Sequence, residues 1–574
     1  MAKKLLPLLA MGTIAAATTA SPCAIINDLY TESGETSVAG SVAYACLMSM
    51  PFESNAAVTW ITEYSKYLQF QSDLEMLAKP PSSYLSNKVD LLGGLESIQS
   101  RASRGGYTSQ YQFDADVSDL ISSANDGHLY FDELCSLSAF SFYSSLSLSA
   151  ISSNGIAMPE IYVTADAGMP SQGYNTNVSP VHSINGVGVV SAIEAQSNYQ
   201  NFQDPDARFN NMVLNLLVDG QGNDLYGLFS RDTVWRGIES YNVTFVNGSS
   251  ISYPVMAELM ASLDSVSFGD ANDLYNGHSP TLYPTPVIRE SHNIIAGYYP
   301  DIPGLEDVAI LTVPTFETDG YDNSAEEFVA IAEYFVQNAS QIDGKKKIVI
   351  DLQNNGGGVV LSGYGLYSIF FPNETLFSST RFRSHEAIDF MGTIFNSGNS
   401  TVQEIGYNSG LSGLVDAVKP DQSSFEDWQN VFGPYNIGGI PSSALFAEFD
   451  FATTDLSDDP VNTDGRGGVL NATTSPFAPE DIVILLDGRC SSTCTIFADH
   501  MVSKGVKTVA VGGRPISGPM QALGGIKGSE VQLLSTIDNA AQEAMYLLNS
   551  SISGNPILSS DNISRFYGQP HPAN

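Results

Sequence analysis

The chain has 574 residues, 24 of them basic and 62 acidic, for a formal net charge of −38; 43% are hydrophobic, 10% aromatic and 15% charged, against about 25% charged in an average globular protein. At about 150 residues per domain this length suggests three to four domains with sizeable cores, and the composition excludes a coiled coil, a collagen and a highly charged disordered chain. So acidic a surface repels a phosphate backbone, which argues against nucleic acid as a partner unless a local basic patch exists. The one candidate patch, Lys345 to Lys347, runs into an apolar strand and reads as its solvated start.

Lys3 and Lys4 precede an apolar run, Leu5 to Ala17, and then small residues up to Ala20, the arrangement of a cleaved secretory signal over residues 1–20. The run is too short to span a bilayer and no later stretch reaches about 18 apolar residues, so the expected mature chain is secreted, without a stable membrane anchor. From Ala57 to Leu77 the residues Ala57, Trp60, Ile61, Tyr64, Leu68 and Leu74 recur at helical spacing, which stops at Pro80 and Pro81. Leu91 to Ile98 and Val117 to Ser123 repeat the pattern, giving a helical N-terminal region over 21–150.

Between 155 and 275 short apolar runs alternate with Gly, Pro and Asn: Ile161 to Val163, Ile184-Asn185-Gly186 followed by a helical Val190 to Gln196, and Tyr241 to Val246. They read as a small β-rich module, and Pro280 to Pro303 as a linker. From Val308 buried strands alternate with helices: strand Val308–Val313, helix Ser324–Gln337, strand Lys347–Leu352, strand Asp481–Leu486, helix Thr495–Val502 and strand Thr508–Val511. That alternation predicts an α/β layer with largely parallel strands over 305–550. A polar insertion at about 397–479 interrupts it, part loop and part local structure, and 551–574 is left as a C-terminal tail.

Nine Asn-x-Ser/Thr sequons, at Asn177, Asn242, Asn247, Asn338, Asn373, Asn399, Asn471, Asn549 and Asn562, are glycosylation candidates in a secreted eukaryotic chain. The cysteines are Cys23, Cys46, Cys135, Cys490 and Cys494, an odd number that an oxidising compartment arranges as up to two bridges and one free thiol. Cys490 and Cys494 lack a second ligand pair at zinc spacing, so no metal is implied.

There is no P-loop, no His-Glu-x-x-His and no Gly-x-Ser-x-Gly elbow. Three segments carry chemistry. In Ile348-Val349-Ile350-Asp351-Leu352-Gln353-Asn354-Asn355-Gly356-Gly357-Gly358 a buried strand opens into glycines whose N–H groups a ligand can approach unobstructed, and such amides hold an oxyanion. In Ile484-Leu485-Leu486-Asp487-Gly488-Arg489-Cys490-Ser491-Ser492-Thr493-Cys494-Thr495 a strand turns into a hydroxyl-bearing helix start. Alone, those hydroxyls read more readily as helix caps than as nucleophiles, although the helix N-terminus favours a developing anion there. In Asn125-Asp126-Gly127-His128-Leu129 a histidine sits in a turn, where its default role is structural or solvated.

In this order the three segments resemble serine peptidase family S41, the carboxy-terminal processing or tail-specific proteases, and within it the branch that includes the chlamydial protease-like activity factor; a fungal secreted member is expected. Asp351-Leu352-x-Asn354-Asn355-Gly356-Gly357-Gly358 matches the family's strand-and-glycine motif nearly letter for letter, and the family's Ser-Ala-Ser-Glu-Ile-Phe pattern falls on Ser492 to Phe497. The resemblance implies an α/β fold with a crotonase-like (ClpP/crotonase-type) core, a helical N-terminal region and a β-rich PDZ-like module. It implies Ser492, rather than Ser491, as nucleophile.

Tail-specific enzymes use a lysine base in a Gly-Lys-Gly motif, where this chain has Pro519; Lys527 fits only if Met520 to Gly525 is an insertion. The activity-factor branch uses an upstream turn histidine, matched by His128, and a downstream acid, for which Glu530 is the nearest candidate. Whether the third group is Glu530 or Lys527 stays open. The implied activity is a secreted serine endopeptidase: Ser492 attacks a peptide carbonyl, His128 takes its proton, and the amides of Gly357, Gly358 and Thr493 hold the oxyanion. No metal or organic cofactor is implied, and the partner is a peptide or protein substrate.

His500 is no rival base, eight residues along the helix from Ser492 and so about 12 Å away. Because His128 and Ser492 must meet in this reading, a bridge from Cys135 to Cys490 or Cys494 is an expectation. Some fungal relatives are associated with peptide toxin pathways, so processing of a ribosomally made precursor and general extracellular proteolysis both fit. From another class, a catalytically silent peptide-binding protein would keep the fold and use the PDZ-like groove. Oligomeric state and cleavage preference are not legible.

Overall fold

A computed structural model describes residues 21–549 except 34–35, 132–133, 135, 168–177, 215–226, 261–285, 320–323, 375, 377, 398–399, 410, 416, 448–473 and 529–530. Its central sheet has six strands in the order Ile288–Arg289, Ala296–Tyr298, Val308–Thr312, Lys347–Asp351, Ile482–Leu486 and Lys507–Ala510. The last four are mutually parallel, as the alternation of strand and helix predicts; the first two are antiparallel and come from the stretch read as a linker. Parallel strands are covered on both faces, and accordingly Ile348, Ile350, Ile482, Ile484 and Leu486 have no exposed surface.

Helices Ser324–Gln341, Val360–Phe370 and Thr493–Ser503 supply Phe328, Phe335, Phe370 and Phe497 to the same core. Every residue from Leu361 to Phe370 is buried, so the second of these helices has no polar face and left no periodic signal in the sequence.

In the N-terminal region the single helix read over Ala57–Leu77 is two, Ser54–Leu68 and Leu74–Ala78. Helices Leu91–Ser103 and Gln110–Ser122 follow; Asp90 caps the first by accepting from the Gly93 N–H and Ser109 caps the second by accepting from the Gln112 N–H, each worth about 1 kcal/mol. Ile61, Leu91, Leu95, Val117 and Ile121 form their common core.

The β-rich module starts earlier than residue 155. One antiparallel sheet runs Ser37–Ala39, Met256–Leu259, Phe140–Tyr143, Arg231–Asp232, and a second runs Val187–Gly188, Val181–Ile184, Ser240–Phe245, Ser250–Pro254. The module's helix Pro205–Met212 docks on the central sheet: Asn210 donates to the carbonyls of Asp487 and Val511, and Asp206 pairs with Arg514 at 2.8 Å.

The polar insertion carries more structure than its composition suggests. Its helices Ser400–Asn408 and Trp428–Phe432, with the preceding helix Glu386–Phe395, join the C-terminal helix Leu534–Asn549 around Phe395, Ala540, Ala544 and Leu547, all fully buried. Among the described residues no helix is long and apolar enough to cross a membrane.

The expected bridge from Cys135 is overturned: Cys490 pairs with Cys494, and Cys23 with Cys46. The turn at Ser492 folds the loop residue Cys490 back onto the first turn of the helix Thr493–Ser503, leaving its Cα 5.4 Å from that of Cys494, within the span of a disulfide. Cys135 itself, the signal segment 1–20, the tail 551–574, Glu530 and the sequons Asn177, Asn399, Asn471 and Asn562 lie outside the described residues. Asn242, Asn247 and Asn373 are exposed and Asn338 half-buried.

Candidate active site

Strands Lys347–Asp351 and Ile482–Leu486 pair in parallel from Ile348↔Ile482 to Asp351↔Leu485, so their C-terminal ends lie level, at the edge where α/β sheets bind ligands. Beyond the first strand Asn354 has φ 61°, Gly357 φ 110° and Gly358 φ 134°. Space excludes side chains at the last two as firmly as conformation does. A Cβ on Gly357 would stand 2.6 Å from the Ser492 Cβ, and one on Gly358 2.2 Å from the Phe316 carbonyl carbon.

Beyond the second strand the chain turns at Gly488 and reaches Ser492, at φ 52° and ψ −125°, immediately before the helix Thr493–Ser503. A non-glycine residue in such a conformation costs about 1–3 kcal/mol and marks functional sites. This strand-to-helix turn places the Ser492 side chain at its apex, the geometry of a nucleophile elbow, without the Gly-x-Ser-x-Gly sequence that usually announces one. Ser491 is buried with its hydroxyl donated to the Arg489 carbonyl at 2.8 Å, whereas the Ser492 hydroxyl has no hydrogen-bond partner among the described residues. The geometry therefore separates the two serines.

Two polar ties fix the facing loops. The Asp487 carboxylate accepts from the N–H of Asn354 at 3.0 Å and of Arg489 at 3.1 Å, and the Thr493 hydroxyl donates to the Gly358 carbonyl at 2.6 Å. Burial raises the Asp487 carboxyl, and burial together with the Asp487 charge pushes neighbouring Asp351 up to about 6 although the Gln353 N–H works against it. Of the three amides expected to hold an oxyanion, those of Gly358 and Thr493 have no acceptor among the described residues. The Gly357 N–H is turned inward to Asn355 Oδ1 at 2.8 Å, and Asn355 is itself held by the Val313 carbonyl. What Gly357 gives the site is the absence of a side chain against Ser492.

His128 closes a turn that starts at Asn125, φ 49°. The fully buried Asp126 accepts from the N–H groups of His128 at 3.0 Å and Lys527 at 3.1 Å, and from Gln71 at 3.1 Å. The Lys527 ammonium donates to the carbonyls of Ala124 and Asn125, and burial lowers it to about 8 against the pull of Asp126 and Asp73. Lys527 thus grips the backbone of the histidine turn.

Leu523 to Lys527 form a strap between the two halves. On one side Gly524 donates to the Gly488 carbonyl, and Gly525 lies so close to Ser491 that a Cβ there would overlap its hydroxyl; on the other the Gly127 N–H donates to the Gly525 carbonyl at 3.0 Å. The strap thus touches both the loop that leads into Ser492 and the His128 turn. His128, Asp126 and Lys527 also line one end of a cavity of about 730 Å³.

The other described histidines are placed elsewhere. His182 is exposed, and His292 Nδ1 lies 2.8 Å from Glu290. His500 Nδ1 meets the Ile496 carbonyl at 2.9 Å, with its ring against Tyr364 and Tyr367. His385 is lowered to about 3 by burial, then by Arg383. His278 and His571 lie outside the described residues. Among the described residues no cluster of three or more His, Cys, Asp and Glu forms a metal site. Sequence reading passed over Asp126 and Asp487; each stands next to a glycine in a segment singled out for other residues, and an Asp-Gly pair at a turn was the available signal.

A serine on a strained strand-to-helix turn, beside the open amides of Gly358 and Thr493 at the end of a parallel sheet, defines a serine-type hydrolase. Residues 307–519 match the family described as Peptidase family S41, and 141–264 match the CPAF-like PDZ domain. The Peptidase S41 family protein phomP1' of Diaporthe leptostromiformis is 33% identical over 502 residues, 82% of this chain and 75% of the relative. The Peptidase S41 family protein ustP of Aspergillus flavus is 39% identical over 292 residues, 50% of this chain and 60% of the relative. The chain belongs to peptidase family S41 and is a serine-type peptidase. Among solved structures, mature CPAF is 16% identical with a TM-score of 0.42, over 87% of this chain and 97% of that one. The photosystem II D1 C-terminal processing protease is 10% identical with a TM-score of 0.25, over 78% and 79%.

Proposed function

We propose that this peptidase is a secreted endopeptidase with Ser492 as nucleophile, His128 as general base and the N–H groups of Gly358 and Thr493 as oxyanion hole, and that it matures a ribosomally made precursor peptide. The observation that carries the reading is the Ser492 backbone, φ 52° and ψ −125° at a helix N-terminus facing Gly357 and Gly358. The Ser492 proton passes to the His128 imidazole as the oxygen attacks a peptide carbonyl. The oxyanion meets the two amides and the positive end of the helix. Collapse expels the amine, which takes the proton from the imidazolium, and water then releases the acyl group by the same route. The downstream acid Glu530 is assigned to orient the imidazole, and Lys527, by gripping Ala124 and Asn125, positions the turn.

The biosynthetic role rests on the resemblance to fungal family members. A proteome-derived peptide mixture read by mass spectrometry tests the chemistry: internal cuts by the wild type and none by Ser492→Ala are expected, and cuts confined to chain ends would overturn the endopeptidase assignment. Deleting the gene in its host should leave an uncut secreted precursor, and a normal secreted peptide profile would exclude the processing role.

A further inference from the structure

The cavity next to His128 is far larger than proton transfer needs. Its 730 Å³ falls in the upper part of the range for ligand sites, about 300–1,000 Å³. Its walls come from three regions distant in sequence: Tyr67 and Phe70 from the N-terminal helices, Leu411 and Phe446 from the insertion, and Ile537 from the C-terminal helix. The insertion thus builds one side of a pocket that the histidine turn also lines. Val531 and Leu534, which also line it, are 44% and 45% exposed.

The charges around this wall are unevenly met. Arg383 is saturated, with both Glu75 oxygens within 3.1 Å of its guanidinium and Gln69 beside it. Lys527 is taken up by two carbonyls and stands near Asp126. His385, edge-on to Phe70 at 4.5 Å, is kept neutral by burial. Arg381 makes one hydrogen bond, to the Ser443 carbonyl at 3.0 Å, and has no carboxylate partner among the described residues. In a chain with 62 acidic and 24 basic residues, an arginine without an acid is a charge waiting for one from outside.

We propose that this cavity is the specificity subsite of the peptidase: it takes a bulky apolar side chain of an extended peptide substrate, and Arg381 pairs with an adjacent aspartate or glutamate side chain. The acid belongs to a side chain, not the peptide's end, because the substrate of an endopeptidase continues on both sides of the bond that is cut. The inference rests on the peptidase reading, so its test separates the two.

The test uses the full-length Ser492→Ala chain and fluorescein-labelled, C-terminally amidated peptides identical except at two adjacent residues, Phe-Glu, Phe-Lys or Ala-Glu, with binding read by anisotropy. Phe-Glu should bind about tenfold tighter than either of the others; adding Arg381→Glu should invert the Glu-over-Lys preference and Arg381→Gln should erase it, while both keep Phe over Ala. Retention of the Phe preference shows that the variants are folded. Equal binding of Phe-Glu and Phe-Lys, or a charge preference that Arg381 does not move, overturns the subsite. Fluorophosphonate labelling of the chain with Ser492 intact is scored separately: a label with no Arg381-dependent preference sinks the subsite alone, and the preference with no label sinks the assigned nucleophile alone.

Discussion

Gly356, Gly357 and Gly358 are equivalent letters in the sequence and different positions in the structure. A Cβ on Gly356 meets nothing within 4 Å, and its φ is not in the left-handed range. Alanine there should therefore be neutral, or stabilising by about 0.4–1 kcal/mol through a less flexible unfolded chain. At Gly358, φ 134° is a region that side chains avoid at about 1–3 kcal/mol, and the new Cβ stands 2.2 Å from the Phe316 carbonyl carbon and 2.3 Å from the Glu317 nitrogen, both main chain. Displacing that backbone adds about 1–3 kcal/mol, so Gly358→Ala should cost roughly 2–6 kcal/mol of stability. At Gly357 the obstacle is the Ser492 Cβ at 2.6 Å; moving the nucleophile out of line with its oxyanion donors should slow its reaction about 100-fold or more. Thermal melts and fluorophosphonate labelling rates for the three alanine variants form the assay. Damage at Gly356 equal to that at the other two, or Gly357→Ala labelling at close to the wild-type rate, would refute the reasoning.

Three further outcomes follow from buried charge and cysteine pairing. Burial holds the folded Asp351 carboxyl at about 6 against an ordinary 3.8, so its contribution to stability is intact below 3.8 and lost as pH rises through 6; Asp351→Asn should add stability of the order of 3 kcal/mol at about pH 8 and little at about pH 4, and melts at both pH values check it. Lys527→Met leaves two carbonyls and the buried Asp126 without their cation, so it should destabilise by about 3 kcal/mol. If Lys527 is a positioning group, the labelling that remains keeps a histidine-like pH dependence, and loss of that dependence would make it the base. With Cys23–Cys46 and Cys490–Cys494 paired, alkylation of the denatured, unreduced protein should mark one thiol, at Cys135, and a mark at Cys490 or Cys494 would contradict the pairing.

How much could be read beforehand depended on where each residue's partners lie. The strands at Val308, Lys347 and Ile482 were legible because a strand buried on both faces is an unbroken apolar run. The break after Leu68 was legible in the six-residue gap to Leu74, which is not a helical repeat, and was passed over; there Gln71 turns its side chain to Asp73 and Asp126. The insertion read as part loop and part local structure, with no helix assigned, because its polar residues dominate locally, whereas Val402 and Trp428 find their partners in a helix more than a hundred residues on. Ser492 was legible only through the family motif; by propensity it is a helix cap, and its φ of 52° is imposed by the loops packed around it. Asp126 and Lys527 were read apart because their contact spans 401 residues.

The central claim is that Ser492 is a nucleophile activated by His128. Labelling the purified secreted protein with a fluorophosphonate, mapping the modified peptide, and repeating this with folded Ser492→Ala and His128→Ala variants tests it most directly. The account predicts a label on Ser492 that both substitutions abolish. A label on another serine, or undiminished labelling of Ser492 in His128→Ala, would contradict it.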